Sequence, residues 1–534
     1  MFKNASRGTV AAFAAAVPVA FLAVFFVWPL LVTARSAIDG AGIAGQDTTI
    51  SVRALGVAAI TTLGLASAGT GLTLIIGLPA VWALNRRRWR GSRLVAALLT
   101  APFVLPTVVV ALAFLTVRRD VMPFLGAWHG IPAIIAALAF FNVAVVLRTV
   151  GPALSSLDER LVAAAQTLGA SPRHVTMRII WPAVRRAVGG ASAVTFLFCS
   201  TSFGLVLVLG GTRVQTLETA AYIELTAFLD LRGAAIIALI QACLIVLVTI
   251  VTSRLTRRPV GSTTQTSPVR IAATRKNSFG IIAGLSPAVV LVAVPMVTLV
   301  IRSLTGAHGA TFASYRALWQ GDGAGASLGQ SIVTSLWLAV VAAVVASTIG
   351  VCATAAAALD PRARWVRAAT VGPLAVSSVV VGVALLIGLA VPLRSWGQST
   401  TVVLLIAAQA LVATPLVVRV LAPALDAIDP RQYAAAATLG ASPFKVVVHV
   451  IAPRMRAAIT SAIGLAFAVA VGEFGASVFL ARPGSPTLPT AIVRLLSKPG
   501  ADNIAAASAG AVVLALLAGT AMIVADMTRK EVRR

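Results

Sequence analysis

Twelve apolar stretches, each close to the roughly 20 residues that a helix needs to cross a bilayer, make up most of this 534-residue chain. Their approximate centres are residues 21, 70, 104, 142, 199, 244, 290, 343, 380, 411, 469 and 514. Because 59 % of the residues are hydrophobic and only 11 % are charged, a set of soluble domains is excluded. The sequence predicts an all-α integral membrane protein with about twelve transmembrane helices.

Basic residues indicate how these helices are oriented. The net charge of +27 is spread over short loops, without the basic domain or aromatic-interleaved patch of a nucleic-acid binder. Most of the lysine and arginine residues lie in one alternating set of loops, which includes both termini. The positive-inside rule therefore predicts that both termini are cytoplasmic.

A polar, basic stretch rich in Ser, Thr and Pro at residues 256–277 separates the sixth and seventh apolar stretches. This composition is typical of a flexible cytoplasmic linker. We expect a first six-helix domain at residues 1–255 and a second at residues 278–534. Since six is an even number, both halves insert with the same orientation, as a parallel repeat.

A polar segment of about 30 residues occurs once in each half, from Asp158 and again from Asp429, 271 positions later. Identical residues without a gap include Gly169/Gly440, Ser171/Ser442, Pro172/Pro443, Pro182/Pro453 and Arg185/Arg456. The same offset relates Pro102 to Pro373 and Phe203-Gly204 to Phe474-Gly475. Each half is therefore one copy of a single architecture.

The local signals of the repeated segment predict two short helices joined by a sharp turn. Asp158 or Asp429 can cap the first helix, and Gly169 or Gly440 can end it in a left-handed conformation. A Ser-Pro pair then starts the second helix, which we expect to end at Pro182 or Pro453. A plain connecting loop is the other interpretation, but it would not require the same residues in both halves.

The repeated segment resembles the EAA element of the membrane subunits of ATP-binding-cassette importers, in which E-A-A-x-x-x-G is followed by a proline. Ala163 and Ala434 replace the leading acid of that motif here. In the family this helix docks on the ATPase subunit, so the resemblance implies ATPase-docking positions at Ala164, Ala165, Leu168, Gly169, Ala170, Ser171, Ala435, Ala436, Leu439, Gly440, Ala441 and Ser442.

The fused two-half form is similar to permeases of the thiamine and ferric-iron importer group. In the first half Ser200–Gly204, Leu209–Gly211 and Thr216–Tyr222 look most like thiamine permeases, whereas Gly472–Ser477 and Thr487–Ile492 are shared by both branches. The resemblance implies a permease of a bacterial inner membrane, with thiamine or a thiamine phosphate favoured over ferric iron as the substrate.

Enzymatic chemistry on this chain is not expected. The sequence has no G-x-x-x-x-G-K-[ST] motif, no nucleophile–base arrangement and no metal-ligand cluster, and no cofactor is implied. ATP hydrolysis is expected on a separate subunit, present in two copies for the two repeated segments. A solute-binding protein is the expected partner at the outer loops, residues 212–230 and 481–502. The other interpretation is that the charges of these loops form a solvated surface without a partner.

Four residues are candidates for the translocation pathway. Glu473 is the one acidic residue that we place at or inside a membrane helix, where a charge usually faces a cavity or a partner. Ser202, Phe203 and Phe474 are candidates for lining a constriction between the halves. The other interpretations of Glu473 are a structural partner for a nearby helix or a residue already at the outer interface. For the aromatic residues the other interpretation is plain packing.

A secondary transporter of the major-facilitator type is the alternative function, because it also has twelve helices in two parallel halves. It would not require two identical cytosolic segments, and it normally carries more charges inside the membrane.

Overall fold

The two halves of the chain fold into similar successions of helices. The structure is a computed structural model that describes residues 2–38, 51–85, 87–89, 91–256, 271–272, 278–306, 309–319, 327–482 and 486–531. The first half contains α1 (Phe2–Leu22), α2 (Trp28–Ile38), α3 (Val52–Asn85), α4 (Ser92–Thr100), α5 (Thr107–Asp120), α6 (Ala127–Ser155), α7 (Glu159–Thr167), α8 (Pro172–Val175), α9 (Trp181–Ser200), α10 (Phe203–Gly210), α11 (Leu217–Thr226) and α12 (Leu231–Thr256). The second half contains α13 (Ser278–Ser303), α14 (Ala313–Ala317), α15 (Leu328–Leu359), α16 (Arg364–Ala369), α17 (Ser378–Leu385), α18 (Gln398–Asp426), α19 (Pro430–Thr438), α20 (Pro443–Val446), α21 (Ala452–Val471), α22 (Ser477–Leu480), α23 (Leu488–Leu496) and α24 (Ala501–Glu531).

Long apolar helices confirm a multi-pass membrane protein. Within the described ranges, nine helices are long and apolar enough to cross a membrane, or twelve if each of three bent helix pairs forms one span. The predicted all-α class with about twelve spans is confirmed.

The duplication is visible in the helix boundaries themselves. At the offset of 271 residues, α6, α7, α8 and α9 of the first half have the same boundaries as α18, α19, α20 and α21 of the second. Identical boundaries in the two halves show that the same local signals start and stop the helices. The parallel repeat predicted from the sequence is therefore a repeat of structure.

The third and ninth spans are broken close to Pro102 and Pro373. The α4 segment meets α5 at 106°, and the segment from Pro361 meets the segment from Ser378 at 95°. A 3₁₀ turn precedes each break, at Ala101–Val104 and Gly372–Ala375. Pro106 starts α5 and the Ser377 hydroxyl caps α17, so each break leaves helix ends inside the protein.

The two halves are interlocked through their first helices. The N-terminal helix α1 packs against α15 of the second half, and α13 packs against α3 and α5 of the first. The α13–α3 approach is close, because a Cβ added to Gly284 would lie 3.1 Å from the carbonyl oxygen of Pro79. Each half therefore completes the packing of the other.

Two pairs of very short strands accompany the helices. Strand β1 (Arg87–Arg88) pairs in parallel with β2 (Ile271–Ala272), and β3 (Thr305–Gly306) pairs antiparallel with β4 (Gly309–Ala310). Of the predicted linker at residues 256–277, only Thr256, Ile271 and Ala272 lie within the described residues.

The interface between the halves is a continuous apolar core. Buried residues of α5 and α10, including Val109 and Phe203, share one cluster with Val380, Phe474 and Leu514 of the second half. Small residues allow the helices to approach closely, as is typical of helix packing in lipid.

Candidate functional site

Each repeated polar segment forms a compact elbow, which we define as residues 158–182 in the first half and 429–453 in the second. In the first elbow, Asp158 caps α7 by accepting a hydrogen bond from the Arg160 N–H (2.9 Å). Ser171 starts α8 by accepting one from the His174 N–H (3.3 Å). The same two contacts recur at 2.9 and 3.3 Å in the second elbow. The predicted starts of the two helices and the turn between them are confirmed in both halves.

Glycine forms the turn of both elbows. Gly169 and Gly440 have φ values of +80° and +85°, in the left-handed region where glycine carries no Cβ penalty. The Ala170 N–H donates to the Ala165 carbonyl (2.9 Å), and the Gly169 N–H donates to the Gln166 carbonyl (3.0 Å). These two bonds define a Schellman motif, which fixes the angle between α7 and α8.

The prediction that Pro182 and Pro453 end the second helix of each elbow is wrong. The chain passes from α8 through a π-turn at Thr176–Ile180 directly into α9, and Pro182 lies at its start. A π-turn at Val447–Ile451 precedes Pro453 in the same way. Proline crowds the carbonyl four residues earlier and has no N–H. The wider π-turn accommodates this defect and keeps the helix continuous, so each elbow is joined to a membrane helix without a break.

One side of each elbow is anchored and the other faces outward. Val162 and Val175 are buried in the core of the first half, and Val446 holds the second elbow in the same way. The opposite side presents Leu168 and Leu439, whose exposed fractions are 88 % and 89 %. Ala164, Ser171, Ala435 and Ser442 are also exposed, whereas Ala165, Ala170, Ala436 and Ala441 are half-buried beneath them.

Two equivalent aromatic rings meet where the halves join. Phe203 and Phe474, which occupy the same position in the two repeats, stack with their centroids 5.6 Å apart and their planes 17° apart. Equivalent residues from two halves touch only close to the pseudo-two-fold axis that relates them. In a parallel repeat that axis runs along the membrane normal, so the stack lies on the central axis of the bundle.

Further aromatic rings surround this stack. Phe479 lies 6.2 Å from Phe203, and Tyr222 lies 5.6 Å from Phe203 and 5.8 Å from Phe479, measured between ring centroids. We call Phe203, Tyr222, Phe474 and Phe479 the axial aromatic cluster. It places four aromatic rings in mutual contact where the two halves meet.

Glycines next to the phenylalanines bring the broken helices against this cluster. A Cβ on Gly204 would lie 2.8 Å from the Thr107 Oγ1 at the start of α5. Gly475 has the equivalent contact with Ser378 at the start of α17. The ends of the broken helices therefore meet the axial aromatic cluster in both halves.

Glu473, next to the stacked rings, is buried with an exposed fraction of 6 %. Its Oε1 accepts a hydrogen bond from the Ala476 N–H (2.8 Å), and its Oε2 accepts from the Ser477 N–H (3.0 Å) and the Ser477 hydroxyl (2.6 Å). These bonds cap the short helix α22. Ser202, the equivalent residue of the first half, donates its hydroxyl hydrogen to the Phe198 carbonyl (2.6 Å).

Glu218 is a second buried carboxylate, which the sequence reasoning missed. Its exposed fraction is 2 %, and its Oε1 has no hydrogen-bond partner among the described residues. The Phe203 N–H and the Ser377 side chain lie within hydrogen-bonding reach of this carboxylate, which places it beside the axial aromatic cluster. The sequence predicts an outer loop at residues 212–230, but α11 turns inward, with Leu217, Thr219 and Ala221 also buried.

The signal that could have found Glu218 is the sequence Thr216-Leu217-Glu218-Thr219. Thr216 and Thr219 form a capping box, which marks the start of a helix inside the predicted loop. The first N–H of that helix donates to the Thr62 hydroxyl of α3 (3.0 Å), as the Leu488 N–H donates to Ser335 in the second half (2.6 Å).

Comparison with known proteins gives the same division of the chain. Residues 74–259 and residues 351–534 each match the family described as binding-protein-dependent transport system inner membrane component. Each match includes one elbow and one ring of the stack.

The names of individual relatives give different substrates. The chain is 29 % identical, over 88 % of its length and 88 % of the relative's, to the thiamine transport system permease protein of Brucella abortus (strain 2308). It is 31 % identical over 35 % of its length, and 73 % of the relative's, to the sulfate transport system permease protein of Escherichia coli (strain K12). It is also 29 % identical over 42 % of its length, and 86 % of the relative's, to a putative 2-aminoethylphosphonate transport system permease protein of Salmonella choleraesuis (strain SC-B67).

Proposed function

Because this chain belongs to the family of binding-protein-dependent transport system inner membrane components, we propose that it forms the complete translocation pathway of an ATP-driven importer of thiamine or a thiamine phosphate. Residues 1–255 and 278–534 are its two transmembrane domains, joined by the linker at residues 256–277. The observation that carries the proposal is the pair of equivalent elbows on a bundle in which equivalent aromatic rings of the two halves stack against each other.

The elbows are the docking points for two copies of a separate ATPase subunit. Leu168 and Leu439 are large apolar side chains left almost fully exposed at the tips of rigid turns. Burying one leucine in a partner's cleft is worth about 1.5–3 kcal/mol. Since α9 and α21 continue from the elbows without a break, movement of a docked ATPase is transmitted to the residues that close the axis.

The orientation follows from the same assignment. The elbows, the linker and both termini face the cytoplasm of a bacterial cell, in agreement with the basic loops. A solute-binding protein delivers substrate to the opposite face, where residues 212–230 and 481–502 lie. Of the latter, residues 483–485 are outside the described part of the chain.

The axial aromatic cluster and its carboxylates support an organic cation as the substrate. The face of an aromatic ring attracts a desolvated cation by about 2 kcal/mol, and the buried carboxyl groups of Glu218 and Glu473 add oxygen acceptors beside the rings. Thiamine carries a thiazolium ring. The relative that matches the chain over 88 % of its length is a thiamine permease by name, which favours thiamine over ferric iron.

Uptake by proteoliposomes that contain the chain, its ATPase subunit and its binding protein tests the proposal. We expect thiamine uptake to require ATP and both partners, and a proton or sodium gradient alone to drive none. Uptake by the chain alone under a gradient would support a secondary transporter instead. Fe(III) uptake without thiamine uptake would reject the proposed substrate and keep the importer.

Substitution within the stack tests the pathway. Phe203→Leu and Phe474→Leu keep an apolar side chain but remove the π-face, so we expect thiamine uptake to fall about tenfold, equivalent to about 1.4 kcal/mol. The matched control is Phe114→Leu, because Phe114 pairs with Phe140 (5.8 Å) within the first half, away from the stack. Equal losses in all three variants would indicate a packing effect.

A further inference from the structure

A basic pocket lies on the face of the bundle opposite the elbows. Helix α6 runs from His129 at this pocket to Ser155 beside the first elbow. At 1.5 Å per residue, these ends are about 40 Å apart. The pocket has a volume of about 490 Å³ and is open to the surface. In the proposed orientation it faces the outside of the cell.

Cationic side chains from three segments converge on this pocket. Arg118 and Arg119 come from the end of α5, His129 from α6, and Arg213 from the turn after α10. The other lining residues are Pro123, Val208, Leu209, Gly210 and Gly211. No carboxylate is among the described residues that line it. Three guanidinium groups around one open volume are therefore not neutralised by an acidic side chain of the pocket wall.

The backbone holds part of this arrangement in place. The half-buried Arg118 donates from Nη1 to the Leu209 carbonyl at the end of α10 (2.7 Å). Gly130, with φ +88°, permits that contact, because a Cβ there would lie 2.7 Å from both the Arg118 Nη1 and the Leu209 oxygen. His129 itself has a positive φ of 60°, a conformation that is uncommon outside glycine. The wall is thus fixed by close contacts between helices.

The pocket belongs to one half only. At the offset of 271 residues, the positions of Arg118, Arg119 and His129 are occupied by Leu389, Ala390 and Thr400. The duplicated fold does not require these charges, since the second half repeats α6 as α18 without them and has a π-turn at Leu386–Ala390 in place of the end of α5. The pocket is also connected to the axis: α10 begins at Phe203 of the stack and ends at the pocket, about 10 Å further along.

We infer that this pocket binds a phosphoryl group, carried by a phosphate monoester or by a lipid headgroup. Arginine recognises phosphate oxygens through paired N–H donors, and Arg119 and Arg213 are exposed and able to turn towards a ligand. The chemistry of the ligand is assigned from the pocket alone. Thiamine monophosphate as its source rests on the proposed function, and an anionic lipid does not.

Binding to the full-length chain in phosphatidylcholine nanodiscs tests the inference. The probes are inorganic phosphate, thiamine monophosphate and unphosphorylated thiamine, and a parallel preparation contains phosphatidylglycerol. The variant is Arg119→Ala with Arg213→Ala, which spares the structural contact of Arg118. Arg394→Ala is the matched control, because Arg394 is an exposed arginine between α17 and α18 of the second half, on the same face.

We expect the double variant to bind a phosphoryl probe at least tenfold more weakly, and Arg394→Ala to bind like the unmodified chain. Weaker binding of phosphate and thiamine monophosphate identifies a soluble ligand. Loss of co-purified phosphatidylglycerol alone identifies a lipid. Unchanged binding of every phosphoryl probe in the double variant, or an equal loss in Arg394→Ala, overturns the inference.

This test is separate from that of the proposed function. If phosphoryl binding depends on Arg119 and Arg213 but no thiamine uptake is found, the pocket assignment stands and the transport proposal fails. If thiamine uptake is confirmed but phosphoryl binding does not depend on the arginines, only the pocket assignment fails.

Discussion

The two buried carboxylates differ in what holds them. Glu473 uses both oxygens to accept hydrogen bonds, whereas the Oε1 of Glu218 has no partner among the described residues. A carboxylate that caps a helix contributes to stability. Glu218 keeps an unpaired oxygen beside aromatic rings, so the two residues are expected to respond differently to the same substitution.

Replacement by glutamine distinguishes these roles. Glu473→Gln places an amide NH₂ where a backbone N–H now donates, and we expect a loss of about 1–3 kcal/mol in the free energy of unfolding. Glu218→Gln keeps one oxygen acceptor and places the NH₂ at the unpaired position, so its stability is expected to change by less than about 1 kcal/mol. Its thiamine uptake is expected to fall. Thermal unfolding and uptake assays on both variants check this, and the reverse order of stability would contradict the assignment.

The elbow glycines allow a test of conformation without steric crowding. A Cβ at Gly169 or Gly440 would meet nothing within 4 Å, so the effect of Gly→Ala comes only from the left-handed backbone. We expect a cost of about 1–2 kcal/mol at each position and weaker co-purification with the ATPase subunit. Gly→Asn is expected to be better tolerated.

Gly189→Ala is the control for this series. Gly189 lies inside α9 and also has no neighbour within 4 Å of an added Cβ, but it is helical. Alanine is expected to be neutral or stabilising there. A loss of docking in Gly189→Ala equal to that in Gly169→Ala would contradict the role of the turn.

At this scale, short-range chemistry decided what could be predicted. The caps at Asp158 and Ser171 and the turn at Gly169 depend only on neighbouring residues, so the sequence was sufficient. The burial of Glu218 depends on α11 turning inward against α3, which involves residues about 155 positions apart. The polarity of residues 212–230 alone predicts that this segment lies outside the bundle.

The elbow as an element combines a rigid turn with an exposed apolar tip. Leu168→Ala and Leu439→Ala remove side chains that contact little of the chain itself, so thermal stability is expected to stay unchanged. Each lost contact with a partner is expected to cost about 1.5–3 kcal/mol of docking free energy, which weakens ATPase binding at least tenfold. Co-purification and ATPase stimulation measure this.

Leu229→Ala is the control for the elbow leucines. Leu229 is also highly exposed, but it lies just after α11, on the opposite face. Its replacement is expected to leave ATPase binding unchanged. If ATPase binding survived in the variant lacking both Leu168 and Leu439, the elbows would not be the docking points.

The continuity between each elbow and its membrane helix is the feature for which the prolines gave a wrong prediction. Pro182 and Pro453 predict helix ends by the usual rule, but the preceding π-turns absorb the missing N–H and the crowded ring. A π-turn has no composition of its own that distinguishes Thr176–Ile180 from any other helical segment. A continuous helix transmits a displacement that a flexible joint would lose, which agrees with the proposed coupling to an ATPase.

For the whole molecule, the number of spans and their division into two halves followed from hydropathy and the repeat. The exchange of first helices, in which α1 packs against the second half and α13 against the first, did not follow from them. The apolar pattern of α1 shows that it spans a membrane but not which helix it packs against, since lipid and protein interiors are equally apolar. Its place against α15, and that of α13 against α3, are contacts between distant parts of the chain.

This exchange predicts how the chain responds to division. A segment ending at Thr256 and one starting at Ser278 each keep all twelve of their helices, but each lacks the helix that covers part of its surface. Expressed alone, either half is expected to aggregate after extraction, because the faces of α3 and α15 that normally bury a partner are exposed. Co-expressed, the halves are expected to assemble, since the contacts do not depend on the linker between them.

Size-exclusion chromatography and co-purification through a tag on one half measure both outcomes, with a chain cut inside α6 as the control that is not rescued. A monodisperse, thermally stable single half would show that the exchanged helices contribute little, and that each repeat is a complete folding unit by itself.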